Sequence, residues 1–149
     1  MTKPVEFSQS LREWMDIFMH RSMRGWIYFT KSVGVSMPQF SILMQLHHRG
    51  PCGMSEISER FDITAAASSQ LTEKLVQSEY IERTEDPNDR RAKSIQLTPK
   101  GTAMINKGIT ERYRWMNELA SKLSAEEKHK VAEALNILKE AARQLDEKA

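Results

Sequence analysis

The chain has a single cysteine, Cys52, among its 149 residues, which excludes an intrachain disulfide. No apolar run approaches the length needed to span a bilayer. The N-terminus, Met1-Thr2-Lys3-Pro4, turns polar without the continuous apolar stretch of a secretory signal. These absences lead to the expectation of a cytoplasmic protein with no membrane partner. A large excess of charge of one sign is also missing. A net charge of +2 permits nucleic-acid binding without arguing for it, so any such argument must rest on where the charges sit. There is no nucleophile elbow, phosphate loop or paired-acid constellation, so the expectation is a protein that is not an enzyme and carries no cofactor. No internal repeat or low-complexity linker divides the chain. What is present, 40% hydrophobic and 28% charged residues, is the composition of an ordinary folded protein: one domain, or one domain with a helical extension.

The hydrophobic pattern is mostly helical. From about Phe7 to Val33, Leu11, Met15, Phe18, Ser22, Trp26 and Phe29 recur at steps of three and four, and Trp14, Met19 and Met23 widen the stripe. Gly34 is a stop. Ser36 and Gln39 form a capping-box pattern with Pro38 in the first turn, opening a second helix through Phe40, Leu43 and Leu46 that Gly50-Pro51 ends. Met54 to Phe61 predicts a short third helix. Thr64 is a good N-cap for a fourth, about Ala65 to Glu79, with Leu71 and Leu75 facing a core. Two short helices joined by only Asp62 to Thr64 are the physical content of a helix-turn-helix. The period then changes: Tyr80 to Glu85 and Ser94 to Thr98 read as strands around the loop Asp86-Pro87-Asn88-Asp89-Arg90-Arg91-Ala92-Lys93. Thr98 and Pro99 start a long helix, and Ser124 with Glu127 caps another. In the last, Val131, Leu135, Leu138, Ala142 and Leu145 form a narrow seam suited to packing on another helix. The expected fold is mostly α with a small β-hairpin wing: a winged helix-turn-helix (residues 35–98) with long terminal helices (1–34 and 99–149) forming a dimerisation region.

Two stretches point to DNA. The major groove admits an α-helix, read chiefly through its N-terminal half. The fourth helix starts Thr64-Ala65-Ala66-Ala67-Ser68-Ser69-Gln70, with small residues for close approach, hydroxyls and an amide for hydrogen bonds, and Lys74 one turn on. Such residues are also ordinary helix surface. The loop carries Arg90 and Arg91 to a projecting tip, where arginine can enter a narrow minor groove. Asp89 would pair with an arginine and fix its direction, and Lys93 would reach phosphates. A solvated charge cluster is the plainer reading of that loop taken alone; its position directly after a helix-turn-helix favours the DNA reading. His47, His48 and Cys52 invite a metal reading, but adjacent helical histidines diverge and no fourth ligand with standard spacing is present. Cys52 lies in a turn, and a redox role for it is less favoured than an incidental one.

The stretch Asp86-Pro-Asn-Asp-Arg-Arg-Ala-Lys-Ser-Ile-Gln-Leu-Thr-Pro-Lys-Gly101 resembles the wing and following helix entry of the MarR family, through Asp89-x-Arg91 and Leu97-Thr98-x-x-Gly101. The order of elements is similar across essentially the whole chain. The resemblance implies that Ala65 to Lys74 is the recognition helix, that Arg91 is the principal minor-groove residue and that Arg83, the arginine at the base of the wing, is a further DNA contact. It also implies a homodimer through the terminal helices, a palindromic double-stranded DNA operator, and a small aromatic or phenolic effector; a repressor is the favoured sense. Two positions depart from the family pattern: Glu79 stands where glycine is usual, and Gln70 where a basic residue is common. A winged domain used only for protein contacts is the alternative.

Overall fold

The computed structural model describes residues 4–85, 88 and 93–146. Its elements in chain order are α1 (Pro4–Val33), α2 (Met37–Arg49), β1 (Cys52–Gly53), α3 (Met54–Phe61), α4 (Ala65–Gln77), β2 (Ile81–Glu85), β3 (Lys93–Leu97), α5 (Pro99–Ser121) and α6 (Ala125–Asp146). The chain divides into two compact units, Met1–Tyr113 and Arg114–Ala149. The first unit thus groups α1 with the winged part.

Local chemistry sets the boundaries. At the start of α2 the Gln39 N–H donates to Ser36 Oγ (3.3 Å) and the Ser36 N–H donates to Gln39 Oε1 (2.9 Å), a reciprocal capping box. The same exchange links Ser124 and Glu127 ahead of α6, and the Ser124 N–H holds the Glu127 carboxyl below its usual range. Thr64 Oγ1 accepts from the Ala67 N–H at 3.1 Å and opens α4. Thr98 Oγ1 accepts from the Gly101 N–H at 3.0 Å and opens α5. Asp62 takes a left-handed conformation (φ 50°), which lets the chain turn between α3 and α4 in three residues.

A three-stranded antiparallel sheet has the order β1-β3-β2, with Cys52 opposite Ile95 and Ile81 opposite Leu97. The core of the first unit is a cluster of Phe29, Phe40, Ile42, Leu43, Leu46, Ile57, Leu75, Ile81, Ile95, Met104 and Ile105. Phe40 meets Trp26 edge-on (centroids 4.6 Å apart) and Phe29 at 6.0 Å. The α1 stripe is buried only toward its C-terminal end. Ser22 and Phe29 are interior, whereas Trp14, Met15, Met19 and Met23 are exposed.

Two differences from the sequence reading have physical causes. The Gly50-Pro51-Cys52-Gly53 segment does end α2, but Cys52–Gly53 is also a strand, because β3 supplies backbone partners that no local pattern announces. The fourth helix ends at Gln77, earlier than expected, and Glu79 adopts φ 60°. The reversal brings Tyr80 back, with its N–H on Leu75 O at 3.0 Å, so that β2 starts at Ile81. A left-handed non-glycine residue is strained by about 1–2 kcal/mol. Glu79→Gly is therefore expected to raise stability by about 0.5 kcal/mol, after allowing for the greater unfolded-state freedom of glycine. The Glu79–Lys100 ion pair (3.2 Å) lies in solvent and little is lost with it. A urea midpoint that falls in the variant contradicts this.

Candidate nucleic-acid interface

The short α3, the tight turn and α4 form a helix-turn-helix, and β2 and β3 project beside it as a wing. Burial sorts the α4 residues by face. Ser68, Thr72 and Leu75 point inward, while Ala65, Ala66, Ser69, Gln70 and Lys74 are exposed, as is the capping Thr64. The exposed residues at 65, 66, 69 and 70 are spaced by one and four, so they share one side of the helix. This side carries two methyl-sized residues at the helix N-terminus, then a hydroxyl and an amide. A rod of that profile leaves backbone N–H groups accessible to anions and places hydrogen-bonding groups within reach of base edges.

Ser68 does not belong to that surface. It is fully buried, and its Oγ has no hydrogen-bond partner among the described residues. The expectation that Ser68 reads a groove is therefore corrected: the i+3 and i+4 neighbours Leu71 and Thr72 fall on the packed side, and so does position 68. A buried hydroxyl without a partner destabilises by about 1–3 kcal/mol. Ser68→Ala is expected to raise stability by about 1 kcal/mol and the melting temperature by about 2–4 °C. A lower melting temperature in calorimetry counts against this assignment.

Arg83 is engaged within the protein. Its Nη2 donates to Glu73 Oε2 at 2.7 Å, which ties β2 to α4. From the sequence Glu73 is only one residue of the polar face of the fourth helix, with nothing to mark it as a partner of Arg83. Its separation from Arg83 exceeds any helical repeat, and only the return of the chain through Glu79 brings the two together. Lys93 is exposed at the start of β3 opposite Glu85. Asp89, Arg90 and Arg91 lie outside the described residues.

The His47 and His48 rings contact each other edge-on at 5.4 Å. Among the described residues no three His, Cys, Asp or Glu side chains gather as metal ligands. Cys52 is buried, and burial together with the nearby Glu56 carboxylate pushes its thiol up from the ordinary value, so it is protonated and poorly nucleophilic at neutral pH. No helix among the described residues is long and apolar enough to cross a membrane.

The Leu97-Thr98-x-x-Gly101 element has a clear structural role. Thr98 donates its Oγ1 to Glu79 O (2.6 Å) and its N–H to Tyr80 O (3.1 Å), while capping α5. Gly101 packs directly against the Tyr80 carbonyl. The end of α4, the start of β2 and the start of α5 are clasped at one point.

Helix-turn-helix, wing and clasp together define a winged helix-turn-helix protein. A sequence model of the MarR family matches residues 35–93. The transcriptional repressor MdtR of Bacillus subtilis is 31% identical over 115 residues, which cover 77% of this chain and 74% of that protein. The transcriptional regulator Tm0710 of Thermotoga maritima superposes with a TM-score of 0.80 at 28% identity, covering 93% of this chain and 94% of that one. The same fold recurs at 18% identity and a TM-score of 0.56 in a mutant MarR of Escherichia coli complexed with operator DNA, covering 92% of this chain and 99% of that one. For the first three curated relatives the matched segment spans 64% to 79% of their own lengths. The chain belongs to the MarR family.

Proposed function

We propose that this protein is a sequence-specific double-stranded DNA-binding transcriptional regulator, acting as a homodimer, and a repressor rather than an enzyme. The observation that carries this reading is the exposed α4 face, small at its N-terminus and polar through Ser69 and Gln70, set beside a two-stranded wing. Thr64, Ala65, Ala66, Ser69, Gln70 and Lys74 enter the major groove or hold its phosphates. Asp89 orients the arginine pair, Arg90 and Arg91 enter the minor groove, and Lys93 meets a phosphate. Two copies place two such helices on successive turns of a palindrome. The operator complex of the Escherichia coli MarR mutant and the naming of MdtR as a repressor support this use of the fold.

The test is binding of the purified protein to DNA upstream of its own coding region, over a salt series with random DNA as competitor. Competitor-resistant binding with a steep salt slope is the expected result, because neutralised phosphates release counterions. Arg91→Ala should weaken binding while leaving folding and dimerisation intact. Binding no tighter than to random DNA favours the alternative of a winged module for protein contacts.

A small aromatic or phenolic anion modulates that binding. A cavity of about 260 Å³ is lined by Met23, Trp26, Met37, Ser41, Met44 and Arg112. The Arg112 guanidinium lies 4.6 Å from the Trp26 ring centroid, and the buried Trp26 Nε1 has no acceptor among the described residues. An aromatic carboxylate or phenolate satisfies both: ring against methionines, oxygen toward a cation and an unused donor. A series of benzoates and phenols should raise the melting temperature of the wild type and not of Arg112→Ala.

A further inference from the structure

The Glu73–Arg83 contact stands out among the ion pairs of the described residues because it crosses between the two DNA-facing elements. The others with partners close in sequence lie along one helix, as in Arg60–Glu56 and Lys130–Glu126. Strand alternation puts Ile81, Arg83 and Glu85 on one side of β2. Ile81 is buried in the core, so Arg83 continues the α4-facing side one step toward the wing tip. Glu73 lies one helical turn beyond Ser69 on the same side of α4, and its carboxylate takes the Arg83 guanidinium at 2.7 Å. The Arg83 and Glu73 side chains are partly exposed, at 38% and 46%. A pair so solvated contributes little to stability, and a carboxylate on a phosphate-facing surface opposes binding. Its effect is geometric: a single charge-assisted bond between the helix that enters one groove and the strand that carries the wing toward the next.

We infer that Glu73 and Arg83 are a positioning pair that sets the angle between the recognition helix and the wing, and thereby discriminates operator from other DNA. Arg83 acts through Glu73 and not by neutralising a phosphate. This inference rests on the regulator reading above. It assigns Arg83 a role different from the direct DNA contact expected of an arginine at the base of the wing, and it assigns Glu73 a role for the first time. Held together, the two side chains also keep a cation from strengthening binding to any DNA indiscriminately.

Two measurements test it, one with DNA and one without. Glu73→Gln and Arg83→Gln should each lower the ratio of operator to random-DNA affinity about tenfold, and the double variant should lower it no further than either single one. Arg83→Gln should keep the wild-type salt slope. If Arg83 instead meets a phosphate, Arg83→Gln weakens operator and random DNA alike and reduces the slope by about 0.9, and Glu73→Gln tightens both; that pattern overturns the inference. In the DNA-free protein, nitroxide labels at Gln77→Cys and Glu85→Cys, in a Cys52→Ala background, should show a distance distribution that broadens on adding Glu73→Gln. An unchanged distribution also overturns it, whatever the DNA result. A wild type that does not distinguish operator from random DNA, with labels that do broaden, removes the regulator reading and leaves the pair as the tether of the wing.

Discussion

Gly101→Ala is expected to lower stability by about 3 kcal/mol, the upper end for inserting a methyl group where nothing can move aside. A Cβ at this position would fall well inside van der Waals contact of the Tyr80 carbonyl oxygen, 3.0 Å from the Tyr80 carbonyl carbon and 3.2 Å from Leu97 Cδ2. Two of these atoms are backbone. Tyr80 O also accepts from the Thr98 N–H, and Thr98 Oγ1 donates to Glu79 O, so separating the segments breaks the clasp between α4, β2 and α5. The variant should melt about 6–12 °C below the wild type. Partial opening of the clasp should also raise hydrogen exchange at Thr98 and Gly101 before the core amides of α2 exchange. A melting temperature within a degree or two of the wild type would mean that the α5 entry is looser than its geometry indicates.

Leu135→Glu is expected to convert the proposed dimer to monomer at micromolar concentration while leaving its helical content unchanged. Val131 and Leu135 are each 45% exposed and Leu145 73% exposed within a single chain, although their spacing makes an apolar seam along α6. A residue already in solvent can take a charge without disturbing its own chain. If a second copy covers the seam about a two-fold axis, every substitution is present twice and two carboxylates enter one apolar contact. Operator affinity should fall by about 100-fold or more, because the second half-site is no longer engaged as a linked event. Sedimentation of the variant as an unchanged dimer excludes this seam from the interface.

The elements that could be read from the sequence are those whose chemistry is local. Ser36 with Gln39, Ser124 with Glu127, Thr64 and Thr98 mark helix starts because a side chain three residues from a backbone N–H needs no other part of the molecule to cap it. The helix-turn-helix followed for the same reason, but the sequence placed Ser68 together with Ser69 and Gln70, and only packing separates them. The family pattern at Leu97-Thr98-x-x-Gly101 was legible as a motif, while its reason, a glycine under the Tyr80 carbonyl, was not.

What the tertiary structure decided depends on contacts between segments distant in the chain. Cys52–Gly53 becomes a strand only because β3, some forty residues later, offers unpaired backbone groups. Ser68 and Ser69 are indistinguishable by type and adjacent in sequence; packing buries one and exposes the other, since a helix turns about 100° per residue and the core lies on one side. Arg83, expected from the resemblance as a DNA contact at the base of the wing, is instead held against Glu73 once the left-handed turn at Glu79 reverses the chain. The sequence by itself determined the local elements and the chemistry available on them. Which of those groups face outward, and which partners hold them, was decided by the fold, because orientation and long-range pairing are properties of the packed chain and of no single segment.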